Sequence, residues 1–312
     1  MNTWVYQCTA FLFAAGFLGG VKLMQSPETA VKGNSLGAFC MLGAIVMTLM
    51  SNGIINDTIL WLSLSAGGLI GYWIAIKVTM IQMPQLVAFL NGLGGGASAV
   101  TALLVLLHMS PVGLTTGFTG ALALSTGSVT LSGSMIAAAK LDQKITQQPV
   151  IVPGHSFLSI VTLFLMGMLI ILVTFASESA LKLISIITIV HALMAGVLFT
   201  IRIGGADMPI TISLLNALSG LAGSITGFAI HNSLLVAVGA IVGSSGLILT
   251  RIMCSAMNRS LVQIITGTTT YSCSKRNALF EQEEEYPDMA ATDISTHHNK
   301  EEHYQTISSL LR

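Results

Sequence analysis

Residues 201–220 read IRIGGADMPITISLLNALSG: an arginine, two glycines, an aspartate and a proline, then a nearly uncharged run carrying an asparagine. An aspartate at the mouth of such a run, and an amide inside it, have different meanings in water and in lipid. The whole chain settles which solvent applies. Its 312 residues are 53% hydrophobic and only 8% charged, with a mean hydropathy of +0.80. A soluble domain carries about 25% charged residues, so this composition is that of a membrane protein.

A helix needs about 20 mainly apolar residues to cross a bilayer core. Such runs occupy 4–21, 35–50, 58–76, 84–107, 115–139, 157–176, 182–200, 209–230 and 233–256. No ten-residue alternation of the strand type appears, and open sheet edges cannot face lipid. The expected fold is therefore an all-α polytopic membrane protein of about nine transmembrane helices. With the N-terminus outside, the inner loops hold Lys22, Lys32, Lys77, Lys140, Lys144, Arg202, Arg251 and Arg259, and the outer loops only Lys182. The positive-inside rule then places the C-terminus inside. Residues 1–260 form the expected membrane domain. Residues 261–312 carry an excess of acid and few apolar residues, and are expected to be a mostly disordered cytoplasmic or matrix-side tail.

The opening stretch has a twin at 76–101, IKVTMIQMPQLVAFLNGLGGGASAVT. Met83, Pro84, Leu90, Asn91, Leu93, Gly95, Ala97 and Thr101 recur without a gap as Met208, Pro209, Leu215, Asn216, Leu218, Gly220, Ala222 and Thr226. Gly71 likewise recurs as Gly196, and Lys77 as Arg202. Both copies enter the membrane from the inner side, so the repeat is parallel. It matches the third and fourth spans to the seventh and eighth.

Both prolines fall in a first helical turn, where a missing N–H is harmless. Each asparagine lies seven residues further, about 10 Å into its helix. An amide there must find a partner, as glue between helices or as the lining of a polar path. His191 is the one ionisable side chain expected deep in a span, and is a candidate by that fact alone. Asp207 stands at a helix start, where the dipole favours an anion, and Arg202 is within reach as its partner. Its counterpart Gln82 is neutral. The alternating hydroxyls Thr126, Ser128, Thr130, Ser132 and Ser134 cannot share one narrow helix face, so some should bond back to carbonyls. GLGGGASA at 92–99, SLSAGGLIG at 63–71, and Gly239, Gly243 and Gly246 are expected at close helix contacts. Four isolated cysteines without CxxC spacing argue against a metal or redox centre. No zinc-protease, haem or nucleotide-loop motif is present, so conduction or coupling is what the residues permit.

Four blocks, MIQMPQLVAFLNGLGG, SGSMIAAAKLDQKI, IGGADMPITISLLNALSG and VGSSGLILTRIMCSAMNRSL, resemble the membrane part of the beta subunit of proton-translocating NAD(P) transhydrogenase. The resemblance covers residues 1 to about 265. It implies a membrane channel that couples proton entry to hydride transfer from NADH to NADP+ on other domains. It further implies Asn91, Ser134 and Asn216 in the proton path, and Asp207, Gly246 and Arg259 in coupling to an NADP(H)-binding domain. The implied partners are the lipid bilayer, an NAD(H)-binding alpha subunit and a separate NADP(H)-binding domain, in an assembly with two copies of each part. No nucleic acid is implied. The membrane would be the bacterial cytoplasmic or the mitochondrial inner membrane. The family's beta subunit continues into a Rossmann-like NADP(H) domain, whereas residues after 260 lack a nucleotide fold's composition. The chain alone is thus expected to hold no cofactor and to perform no catalysis. A small-solute or ion transporter, or a non-catalytic assembly subunit, is the alternative reading.

Overall fold

The computed structural model describes residues 3–108, 113–150 and 154–266. Residues 267–312, nearly all of the expected acidic tail, lie outside the described residues. Among the described residues, nine helices are long and apolar enough to cross a membrane. They are α1 (Thr3–Leu23), α2 (Ala30–Asn52), α3 (Thr58–Lys77), α4 (Met83–His108), α5 (Leu114–Leu141), α6 (His155–Thr174), α7 (Glu178–Ile201), α8 (Met208–Ala229) and α9 (Ser233–Ala256). A short α10 (Leu261–Thr266) follows. The expected spans are all present. The second begins earlier than expected, at Ala30, and takes Lys32 into the helix.

The centre of the bundle is built from α5 and α8, which pack on each other and on α4, α7 and α9. These two are the most buried spans and among the least apolar. That inversion follows from the solvent: lipid is as apolar as leucine, so small residues that let backbones approach decide which helices go inside. Gly120, Ala121, Ala123, Gly127, Gly133 and Ala137 are buried along α5. The more apolar α6 lies outside, against α5 and α7. At the other edge α1 pairs with α2 and touches α9, where Tyr6 donates to Asn232 at 3.4 Å.

The repeat is visible in the backbone. A 3-10 turn, Met80–Gln82, leads into α4, and its counterpart Gly205–Asp207 leads into α8. Equivalent bonds close both turns: Gln82 N to Thr79 O at 2.9 Å, and Asp207 N to Gly204 O at 3.0 Å. Helices α4 and α8 then meet through matched positions. A Cβ on Gly94 would lie 3.4 Å from Ser219 Oγ, and one on Gly223 would lie 4.0 Å from Ser98 Oγ. Gly94 matches Ser219 and Ser98 matches Gly223 in the repeat, so an approximate two-fold axis runs between the two helices.

The following helices obey the same axis. A Cβ on Gly127 of α5 would meet Gly95 O at 2.6 Å and Ala99 N at 2.9 Å. One on Gly239 of α9 would meet Gly220 O at 2.9 Å and the backbone N of Ser224. Residues 95 and 99 match 220 and 224, so Gly127 corresponds to Gly239 and α5 to α9. The close contacts expected of GLGGGASA and of Gly239, Gly243 and Gly246 are thus formed. Those expected of SLSAGGLIG are not: a Cβ on Gly67, Gly68 or Gly71 would meet no atom of another helix within 4 Å, and no residue of α3 is buried.

Candidate functional site

The core site sits where α4, α5, α8 and α9 meet. Asn91 is 8% exposed, and its Nδ2 donates to Ser134 Oγ at 2.9 Å. Asn91, Gly94, Ser98 and Thr101 follow the i, i+3, i+7 spacing of one helix stripe, as do Asn216, Ser219, Gly223 and Thr226. Both asparagines therefore belong to the faces that meet at the two-fold axis. Their bonding differs. Asn216 is half-buried, and its amide has no hydrogen-bond partner among the described residues.

The correspondence of α5 with α9 explains why. Seven residues, about two turns, beyond Gly127 and Gly239 stand Ser134 and Gly246. Ser134 Cβ packs at Gly92, and a Cβ on Gly246 would meet Ala217, the counterpart of Gly92, at 2.9–3.0 Å. The second copy has a glycine where the first has a hydroxyl, so the Asn91–Ser134 bond has no equivalent. The remaining hydroxyls of α5 divide as expected. Thr126, Thr130 and Ser132 bond back to Leu122 O, Thr126 O and Ser128 O at 2.7, 2.7 and 3.2 Å.

The second cluster lies at the start of α8. Asp207 is the N-cap residue, but its carboxylate makes no capping bond. Its partner is not Arg202 but Arg259, whose Nε lies 3.2 Å from Asp207 Oδ1. The contact is an ion pair without a hydrogen bond, since Oδ1 accepts none. The chain reaches this position through Asn258, whose φ of 50° reverses the path after α9, with Arg259 N donating to Cys254 O at 2.8 Å. Ile264 of α10 then buries itself with Ile203, Met208 and Cys254, which holds the turn against α8. Gly246 lies in α9, away from this pair along the helix.

Arg202 turns to the other side of α7, where its guanidinium donates to Ser159 Oγ at 3.4 Å. His191 is half-buried, and one ring nitrogen meets Thr162 O at 3.0 Å, which ties α7 to α6. The structure thus joins Asn91 to Ser134 and Asp207 to Arg259, and leaves His191 apart from both.

Lys140 was expected as an ordinary inner-loop charge. It is instead fully buried at the end of α5, and its ammonium donates to Ile203 O at 2.9 Å, Gln148 O at 3.4 Å and Ile201 O. Three donors meet three carbonyls. The lysine caps α7 and fixes the segment that carries Asp207. Its spacing held the clue: Gly133, Ala137 and Lys140 fall on one stripe of α5, i, i+4, i+7, whose other members are small and buried.

Among the described residues no group of three or more His, Cys, Asp or Glu could hold a metal ion. Residues 6–307 match the family described as NAD(P) transhydrogenase beta subunit. Two curated relatives, both named NAD(P) transhydrogenase subunit beta and both from Rhodospirillum rubrum, are each 40% identical over 261 residues. The match covers 80% of this chain and 55% of each relative, so the chain spans about half the length of the curated relatives it matches. The family match also continues well past residue 265, to which the resemblance was expected to extend. The chain belongs to the NAD(P) transhydrogenase beta subunit family.

Proposed function

We propose that this chain is the proton-conducting membrane component of a nicotinamide nucleotide transhydrogenase. In this reading Asn91, Ser134 and Asn216 line the proton path. Inward proton movement is coupled to hydride transfer from NADH to NADP+ on an NAD(H)-binding alpha subunit and an NADP(H)-binding domain. Asp207, Gly246 and Arg259 transmit the state of that NADP(H) domain, and His191 remains a tie between α6 and α7. The N-terminus lies outside, residues 1–260 are the membrane domain, and the remainder faces the cytoplasm or matrix. The complete assembly has two copies of each part, in a bacterial cytoplasmic or mitochondrial inner membrane.

The observation that carries this reading is the unpartnered amide of Asn216, on the axis stripe of α8. A half-buried amide without a protein partner is left to water for its hydrogen bonds. An amide both donates and accepts, so it can pass a hydrogen-bonded water chain along the axis. Family membership supports the same reading.

The test is proton flux into sealed proteoliposomes with a trapped pH dye, with the NAD(H)- and NADP(H)-binding partners supplied under NADH plus NADP+. Nucleotide-dependent flux is expected with the partners and not without them. Asn216→Leu and Asp207→Asn should abolish it while insertion is retained. Full coupled flux in both variants would refute the assignment.

A further inference from the structure

Arg202 is 6% exposed, and among the described residues it pairs with no carboxylate; the ion pairs there are Lys144–Asp142 and Arg259–Asp207. Its Nε has no hydrogen-bond partner. The contacts that remain are the long one to Ser159 Oγ and the face of Phe199, whose ring centre lies 5.9 Å from the guanidinium carbon. Burial lowers the pKa of this guanidinium from its ordinary value. A buried cation without an anion is costly, and one ring face offsets only part of that cost.

A second unpartnered nitrogen lies at the start of α6. His155 is 7% exposed, and its Nε2 meets Leu198 O at 3.1 Å. A carbonyl only accepts, so Nε2 carries the hydrogen, while Nδ1 is buried without a partner. Ser159 Oγ joins the two residues, because it donates to His155 O at 2.9 Å and accepts from Arg202.

From this polar end a groove of about 320 Å³ runs along the bundle. Ser159, Thr162, Leu163 and Met166 of α6 form one wall, and Ala195, Leu198, Phe199 and Arg202 of α7 the other. Both sets follow the i, i+3, i+4, i+7 spacing of a single helix face. The volume is at the lower end of the roughly 300–1,000 Å³ typical of ligand sites. The lining is apolar except at the end where α6 begins and α7 finishes, which is head-group level for helices of this length.

We propose that this groove is a binding site for one anionic phospholipid, with an acyl chain between α6 and α7 and its phosphate on Arg202, which Ser159 holds in place. The order of the surfaces, apolar channel first and unpaired guanidinium last, matches the order of chain and head group in a leaflet. Basic pockets between transmembrane helices bind such head groups. A phosphate oxygen would supply the acceptor that Arg202 Nε lacks, through a charge-assisted bond. The site needs no nucleotide chemistry, and it touches the central helices only through apolar side chains, Val129 of α5 and Leu214 and Leu218 of α8.

The experiment uses the full chain, stripped of lipid in detergent and returned to phosphatidylcholine vesicles with phosphatidylglycerol as the minor component. Retained lipid is then counted by native mass spectrometry. One phosphatidylglycerol per chain is expected, held about tenfold better than phosphatidylcholine. Arg202→Gln should bring the two lipids to parity, and Arg202→Lys should keep the preference. Ala195→Phe, which fills the groove and leaves the arginine in place, should lose both lipids. It also keeps the test decisive if Arg202→Gln does not fold. Equal retention of both lipids by the unaltered chain would overturn the proposal, as would retention unchanged by Ala195→Phe. Displacement by inorganic phosphate alone would make the site one for a free anion. Loss of retained lipid on assembly with the alpha subunit would assign the groove to a partner helix instead. Either result overturns the lipid.

Discussion

Helices α3 and α7 hold the same place in the repeat, yet only one is built into the bundle. A Cβ on Gly71 of α3 would meet no atom of another helix within 4 Å, whereas its counterpart Gly196 is buried against α5. Lys77 is exposed over Trp73 at 5.5 Å, whereas its counterpart Arg202 is buried. The seats differ as well. Ser132 of α5 is buried under α7, while Ser244, its counterpart on α9, is exposed. Six residues beyond Ser134 and Gly246 stand Lys140 and Ile252. Lys140 caps α7 through Ile201 O, and Ile252 has no donor to offer Ile76. Duplication therefore reproduced the helices, their 3-10 entrances and the two-fold crossing. Docking of the leading helix depends on residues that only the first of the two receiving helices, α5, carries.

The largest effect should separate the two glycines. A Cβ at Gly196 would run into Ser132 Oγ and Val129 O and lie 3.0 Å from Gly133 N. Two of those three are backbone atoms that cannot move aside cheaply. Gly196→Val should cost about 3 kcal/mol or more, and should reduce the yield of folded protein in detergent. Gly71→Val should change the melting temperature little, within about 0.5 kcal/mol. Equal damage at both positions would mean that α3 has a packed face in the native membrane.

Lys140 gives the second contrast. Lys140→Met leaves three carbonyls short of a charged donor, at about 2–3 kcal/mol. Ile252→Met, on the exposed counterpart, should be close to neutral. Thermal unfolding of the two purified variants measures the difference. A neutral Lys140→Met would show that α7 stays on α5 through packing alone.

What the residues revealed in advance follows from the kind of signal each carries. The nine spans rest on length and apolarity, which a bilayer imposes on every helix, so all were legible. The correspondence of α4 with α8 was legible because the asparagines and prolines recur without a gap, while their contact at the two-fold axis was not. The failure at SLSAGGLIG is instructive: small residues permit close approach but do not choose a partner. Asp207 was read with the arginine nearest in sequence. The arginine that reaches it comes from the far end of α9, through a left-handed Asn258 that no periodicity announces. Lys140 was misread because a lysine near a helix end is ordinarily an orientation charge. Only its alignment with Gly133 and Ala137 distinguishes it.

The smallest effect is the one closest to the proposed proton path. Asn91 holds Ser134 in a buried bond, and such bonds between membrane helices contribute about 0.6 kcal/mol on average and rarely above about 1.7. Asn91→Ala and Ser134→Ala remove the same bond, so each should destabilise by about that amount and the double variant by little more. Asn216 has no such bond to lose, so Asn216→Ala should leave the unfolding temperature unchanged within a few tenths of a kcal/mol. Gly246→Ser would supply the missing hydroxyl. Its Cβ, however, would sit 2.9 Å from Ala217 Cα, so α8 and α9 would have to separate to accept it. The glycine therefore keeps the two helices close and leaves the neighbouring amide free. If Asn216→Ala costs as much as Asn91→Ala, the amide has a protein partner in the membrane, and the distinction between a tied and a free asparagine is lost.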